Sequence, residues 1–162
     1  MAGTEVTIEG LPELQALLRK LGSDATETVK KQLAASGLEL ETEAKKNLGD
    51  VGGVDTGQAR ASTRYRSAQG GLAAEVYSPN PVAAAIEFGT APAGQLKQHM
   101  PPPSALQGWV RRHGMPESAA YPVARKIALV GIRARPWLSR AHDTIAAKFI
   151  KDLTAKLNAL VE

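Results

Sequence analysis

A chain of 162 residues with 43% hydrophobic content is the size of one ordinary domain and apolar enough for a packed core, which excludes global disorder; with aromatics at only 4%, that core must be built from Leu, Ile, Val and Ala, and such a core often gains stability by oligomerising. The absence of cysteine excludes disulfides, thiolate metal sites and a cysteine nucleophile; no apolar run approaches the ~20 residues that span a bilayer, and residues 1–10, with Glu5 and Glu9, lack the basic leader of a secretory signal. The net charge of +4 is unevenly spread: residues 1–90 carry 9 basic and 12 acidic side chains, residues 91–151 carry 10 and 2, and the last stretch carries 1 and 2, so a slightly acidic half adjoins a basic one.

In chain order, Val6 and Ile8 alternate with polar residues and predict a short strand ended by Gly10. Leu11, Leu14, Leu17, Leu18 and Leu21 follow helical spacing, and Gly22 stops that helix. Ser23 or Asp24 then caps a long helix to about Leu48, with Glu27 completing a capping box and Val29, Leu33, Leu40, Ala44 and Leu48 on its buried face. Residues 49–57 read as a mobile Gly-rich loop. Residues 60–67 and 72–78 flank Gln-Gly-Gly as a β-hairpin, closed by Pro79-Asn80-Pro81, and residues 82–88 form an apolar turn or short helix ending at Gly89. Residues 91–104 hold Pro92, Pro101, Pro102 and Pro103, too many for regular structure. Leu106, Trp109 and Val110 predict a short amphipathic helix stopped by Gly114; Pro116 opens another with Val123, Ile127 and Val130 on one face. Arg135-Pro136-Trp137 is a rigid corner, after which Leu138, Ala141, Ile145, Phe149, Leu153, Leu157 and Leu160 stripe a last helix that runs to the end. The expected fold is α+β: a small antiparallel sheet packed against a long helix in the N-terminal half and a C-terminal helix, in one domain over 1–162 with a Pro-rich and helical insertion at about 91–130.

Residues for chemistry are sparse. His99, His113 and His142 belong to no ligand spacing, and the chain has neither a nucleophile elbow nor a phosphate loop, since the glycines of 49–57 are not followed by Lys. Glu39, Glu41 and Glu43 are spaced by two, which spreads them around a helix instead of pairing them. The expectation is a non-enzymatic protein with no cofactor and no metal. The basic surplus includes Arg111, Arg112, Arg125 and Lys126, which are placed to face DNA or a partner, although aromatics are too few for a base-stacking platform.

Three short motifs stand out. The first is Asp55-Thr56-Gly57-Gln58-Ala59-Arg60-Ala61-Ser62, the second the small-residue run into Glu87-Phe88-Gly89-Thr90, and the third Arg135-Pro136-Trp137-Leu138. In this order, behind a long helix, they resemble the gene-product-ten-like tail-component family of lambdoid siphoviruses, labelled tail completion, neck or head–tail joining. The family pattern has Leu where this chain has Ala59 and Phe where it has Trp137; the second motif is kept completely.

The resemblance implies a structural virion protein of a tailed bacteriophage, assembled in the host cytoplasm and located at the head–tail junction. It implies a homo-oligomeric ring, commonly sixfold, between head connector and tail tube, with DNA passing through and no membrane. A tail terminator capping the tube is an alternative of the same class, and a basic nucleic-acid-binding module one of another class. The motifs also read as local structure. Asp55, Thr56 and Gly57 suit a turn, with Asp55 or Thr56 bonding nearby amides and Gly57 at positive φ; the second motif suits a buried Phe88 before a helix-stop glycine; the third suits a helix entry with Trp137 over the core. The loop 49–57 and the excursion 91–104 are the expected subunit or connector contacts.

Overall fold

The computed structural model describes residues 4–6, 15, 22–90 and 100–160. The elements in order are β1 (Thr4–Val6), α1 (Ser23–Asp50), α2 (Gln58–Ser62), β2 (Arg64–Ala68), β3 (Ala73–Ser78), α3 (Pro81–Phe88), α4 (Pro103–Arg112), α5 (Ala120–Val130) and α6 (Leu138–Asn158). This is the mixed helix-and-sheet fold expected, with a long helix in the N-terminal half and a C-terminal helix.

The sheet is antiparallel throughout, in the order β1-β3-β2. Tyr65 of β2 lies opposite Val76 of β3 and shares a face with Ala74. That face lies on α1, where Gly37 is the contact point: a Cβ there would overlap the Tyr65 ring and come within 3.2 Å of Ala74. A glycine mid-helix costs about 1 kcal/mol of propensity, and here it admits the ring. The opposite face carries Arg66, which donates to Glu75 Oε2 (Nε, 2.7 Å) and stands 5.0 Å from the centre of the Tyr77 ring.

Helices α1 and α6 pack antiparallel, as their polar pairings show: Gln32 with Lys156, Glu39 with Lys148, and Asn47 with the Trp137 carbonyl. All five residues expected on the inner face of α1 are buried. The core has two parts that meet at Tyr65. One gathers Leu40, Leu48, Val76, Ile86, Trp137 and Leu138; the other gathers Val29, Leu33, Ala74, Phe149 and Leu153. Helices α4 and α5 pack on each other as a helical hairpin whose buried Val110, Ala120 and Ala124 belong to neither part.

Several expectations are corrected. The capping box at Asp24 and Glu27 does not form: α1 starts at Ser23 with Gly22 at the N-cap, and Glu27 pairs with Lys30. Residues 60–62 are helical, not strand, because Gly57 at φ +77° starts the turn α2 and β2 begins only at Arg64. Pro102 and Pro103 open α4, Pro103 occupying a first-turn position where its missing N–H costs nothing. Pro116 precedes a 3₁₀ turn over Glu117–Ala119, and Val130 is exposed, whereas Val123 and Ile127 lie half-buried on the inner face of α5 beside the buried Ala120 and Ala124. Helix α6 ends at Asn158, leaving Leu160 beyond it and exposed. The strand position Ile8, the predicted helix over Leu11–Leu21 apart from residue 15, His99 and most of the excursion 91–104 lie outside the described residues.

Candidate assembly site

The second and third motifs meet at a buried carboxylate. Helix α3 begins where the Asn80 side chain accepts from Val82 N (2.8 Å), with Pro81 in its first turn, and ends at Gly89. Its last turn points Glu87 inward, 3% exposed. The Glu87 carboxylate accepts from the backbone N–H of Trp137 (2.7 Å), Leu138 (2.8 Å) and Ser139 (3.0 Å), and from the Ser139 hydroxyl. The first N–H groups of a helix have no intrahelical acceptor and carry the positive end of its dipole. Glu87 therefore caps α6 from across 50 residues of sequence, and the burial of its charge is offset by these donors.

The surrounding contacts fix this arrangement. Trp137, fully buried, donates its indole N–H to Ala83 O (3.1 Å), and its own carbonyl accepts from Asn47 Nδ2 (3.3 Å). Arg135 N donates to Ile86 O (2.7 Å). Thr90 N donates to Ile132 O (2.9 Å), and Ile132 N to Thr90 Oγ1 (2.8 Å). Gly89 sits at φ +66°, and a Cβ there would lie 2.6 Å from Ile132 O and 2.7 Å from Ala134 N. Only glycine meets both demands. The buried side chains in this motif are thus Glu87 and Thr90, while Phe88 is only half-buried, in place of the expected buried Phe.

The first motif joins the same region from the α1 side. The α1 chain end closes with Gly53 N on Leu48 O (2.9 Å), and the Arg135 guanidinium donates to Val51 O (2.9 Å) and Gly52 O (3.2 Å). Within residues 49–57, expected to be a mobile loop, the third motif reaches Val51 and Gly52 through Arg135. Ser62 bonds Ser78 (Oγ to Oγ, 2.8 Å), linking α2 to the end of β3, and Arg60 is exposed. Instead of serving a local turn, Asp55 accepts from Arg112 of α4 (Nε to Oδ1, 2.9 Å). The hydrogen bond from Arg112 holds the Asp55 carboxyl below the ordinary aspartate range, and the same bond raises Arg112.

Comparison of the chain with protein-family models, curated proteins and solved structures found no match.

The four basic residues expected to face DNA or a partner separate. Arg112 is spent on Asp55, and Arg111 lies 3.8 Å from Glu117, whereas Arg125 and Lys126 are exposed on α5. Arg133, Arg135 and Arg140 line an open groove with Val51, Pro136 and Asp143, which brings Arg135 of the third motif together with Arg140 of α6. Helix α1 turns its three spaced glutamates to three places: Glu39 to Lys148, Glu41 to the sheet, Glu43 to Lys46. Burial pushes the Glu41 carboxyl up, but the bonds from Lys45 and from Tyr65 N (2.6 Å) more than offset it and hold it low. Among the described residues no group of three His, Asp or Glu side chains is placed to hold a metal, and no helix is long and apolar enough to cross a membrane.

Proposed function

We propose that this chain is a non-catalytic structural protein of a tailed bacteriophage virion that assembles with copies of itself into a ring at the head–tail junction, a neck or tail-completion component. The observation that carries the reading is the convergence of the three motifs. They were distinguished by their order along the chain, and they form one unit in which Glu87 of the second caps the helix opened by the third, while Arg135 of the third pins the approach to the first. Motifs that depend on one another physically form a signature of one fold, and the family resemblance rests on that signature. The uneven charge adds support, since head-to-tail contacts in a ring join unlike surfaces.

Electron microscopy of the purified protein at high concentration tests this reading: closed rings with a central channel are expected, and open filaments or dispersed single subunits count against it. A tail terminator is the narrower alternative; capture by purified tail tube but not by connector selects it. The nucleic-acid-binding reading is favoured by one observation, the groove lined by Arg133, Arg135 and Arg140. Duplex affinity that falls steeply with salt, and is lost in R133A/R140A, would carry it.

A further inference from the structure

The outward face of α5 is unusual for an 11-residue surface helix. Tyr121, Leu129 and Val130 are 60%, 64% and 60% exposed, and Arg125 and Lys126 lie between them. Tyr121, Arg125 and Leu129 follow one another at i, i+4 and i+8, with Lys126 and Val130 on the adjoining row, so the face reads apolar–basic–apolar. Neither α4 nor α5 contains an acidic residue. Beneath this face the fully buried side chains of α5 are the small Ala120 and Ala124, with Val123 and Ile127 only half-buried, so the hairpin gains little from its own interior.

A complementary face exists on the same chain. Helix α1 carries six acidic and four basic residues, and α6 and the sheet leave one side of it open. On that side Leu38 is 56% exposed, next to exposed Ala35, Glu39 and Thr42. Among the described residues Glu39 pairs with Lys148 in an exposed ion pair, and such pairs contribute little and exchange readily. The exposed Ile150 of α6 is a poorer match, because α6 carries four basic residues against two acidic ones. Pairing α5 with α5 would set Arg125 and Lys126 against their own copies.

We propose that α5 of one copy docks on the open side of α1 of the next, with Tyr121 and Leu129 against Ala35 and Leu38 and with Arg125 and Lys126 facing Glu39; this rests on the self-assembly reading above. The two faces are unlike, so the contact is heterologous, and repeating it closes a ring or extends a filament. An α5 of about 16 Å fits within the span of α1, about 42 Å at the helical rise per residue.

The absence of cysteine makes the test clean. Leu38→Cys, Leu129→Cys and, as control, Ile150→Cys are made singly in the full chain and joined in pairs by a short bis-maleimide. Cross-linked dimer is expected from the Leu38→Cys and Leu129→Cys mixture, well above either variant alone and above any mixture with Ile150→Cys. R125E/K126E should weaken assembly about a hundredfold, and adding E39K should restore part of it. Circular dichroism confirms that each variant is folded. If the wild-type protein assembles by light scattering but the selective cross-link is missing, the interface is wrong and the self-assembly reading stands. If the wild type never assembles, both fall.

Discussion

The junction of the three motifs and the α4–α5 hairpin are built on opposite principles. At the junction, a large side chain is fully buried, a carboxylate is satisfied by four donors, and the partners come from segments about 50 residues apart. Among the described residues the hairpin's fully buried side chains are Val110, Ala120 and Ala124, and a solvent-exposed ion pair, Arg112 with Asp55, ties it to the rest. Burial with satisfied polar groups gives a single rigid arrangement, whereas a surface ion pair holds a position without contributing much energy. The junction therefore defines the fold, and the hairpin is the part free to make contacts elsewhere.

Changes at the junction should therefore unfold the whole chain, and changes at the hairpin tie should not. The largest effect is expected from Trp137→Ala, which leaves a cavity beneath α6 and removes the indole bond to Ala83 O; a loss of about 3–5 kcal/mol should appear as a lower midpoint in urea. Glu87→Ala removes the acceptor for three backbone N–H groups and should cost about 3 kcal/mol, while Glu87→Gln, which keeps a carbonyl oxygen, should cost less. A Glu87→Ala variant as stable as the wild type would mean that the cap is incidental. Gly89→Ala combines a left-handed backbone with a clash against Ile132 O and Ala134 N, for about 1–3 kcal/mol by the same measurement.

The smallest and most local effect belongs to Asp55. Asp55→Asn should leave the global midpoint unchanged while amide exchange over residues 103–130 speeds up. The pH dependence follows in sign. A carboxyl whose folded pKa is depressed contributes stability above its unfolded value, about 3.9, and loses it as the pH falls through the lower folded value. Hairpin protection should hold from neutral pH down to about pH 4 and fall below that, and in Asp55→Asn this acid step should be missing.

The difference between the two regions also marks what the sequence made legible. The inner stripe of α1 was readable because a 28-residue helix repeats its apolar spacing enough times to fix a face. In α3, eight residues, three of them alanine, are too few turns to fix one, and the buried position fell to Glu87 instead of Phe88. The role of Glu87 was hidden because its partners are three amides distant in sequence and identical in every residue type. The signal that hints at it is the joint presence of Glu-Phe-Gly-Thr and Arg-Pro-Trp-Leu. The capping box at Asp24 failed for the converse reason: a local pattern was present, but the helix took Gly22 as its N-cap. The pairing of Asp55 with Arg112 was invisible because both residue types are ordinary in a turn and on a helix surface.

The most direct test of the account is the mass of the intact protein in solution, measured by light scattering across concentration and salt. The account predicts a closed assembly of fixed size, on the order of six subunits, that loosens as salt screens the contacts between unlike charged faces. A mass that stays at one subunit under every condition would contradict it.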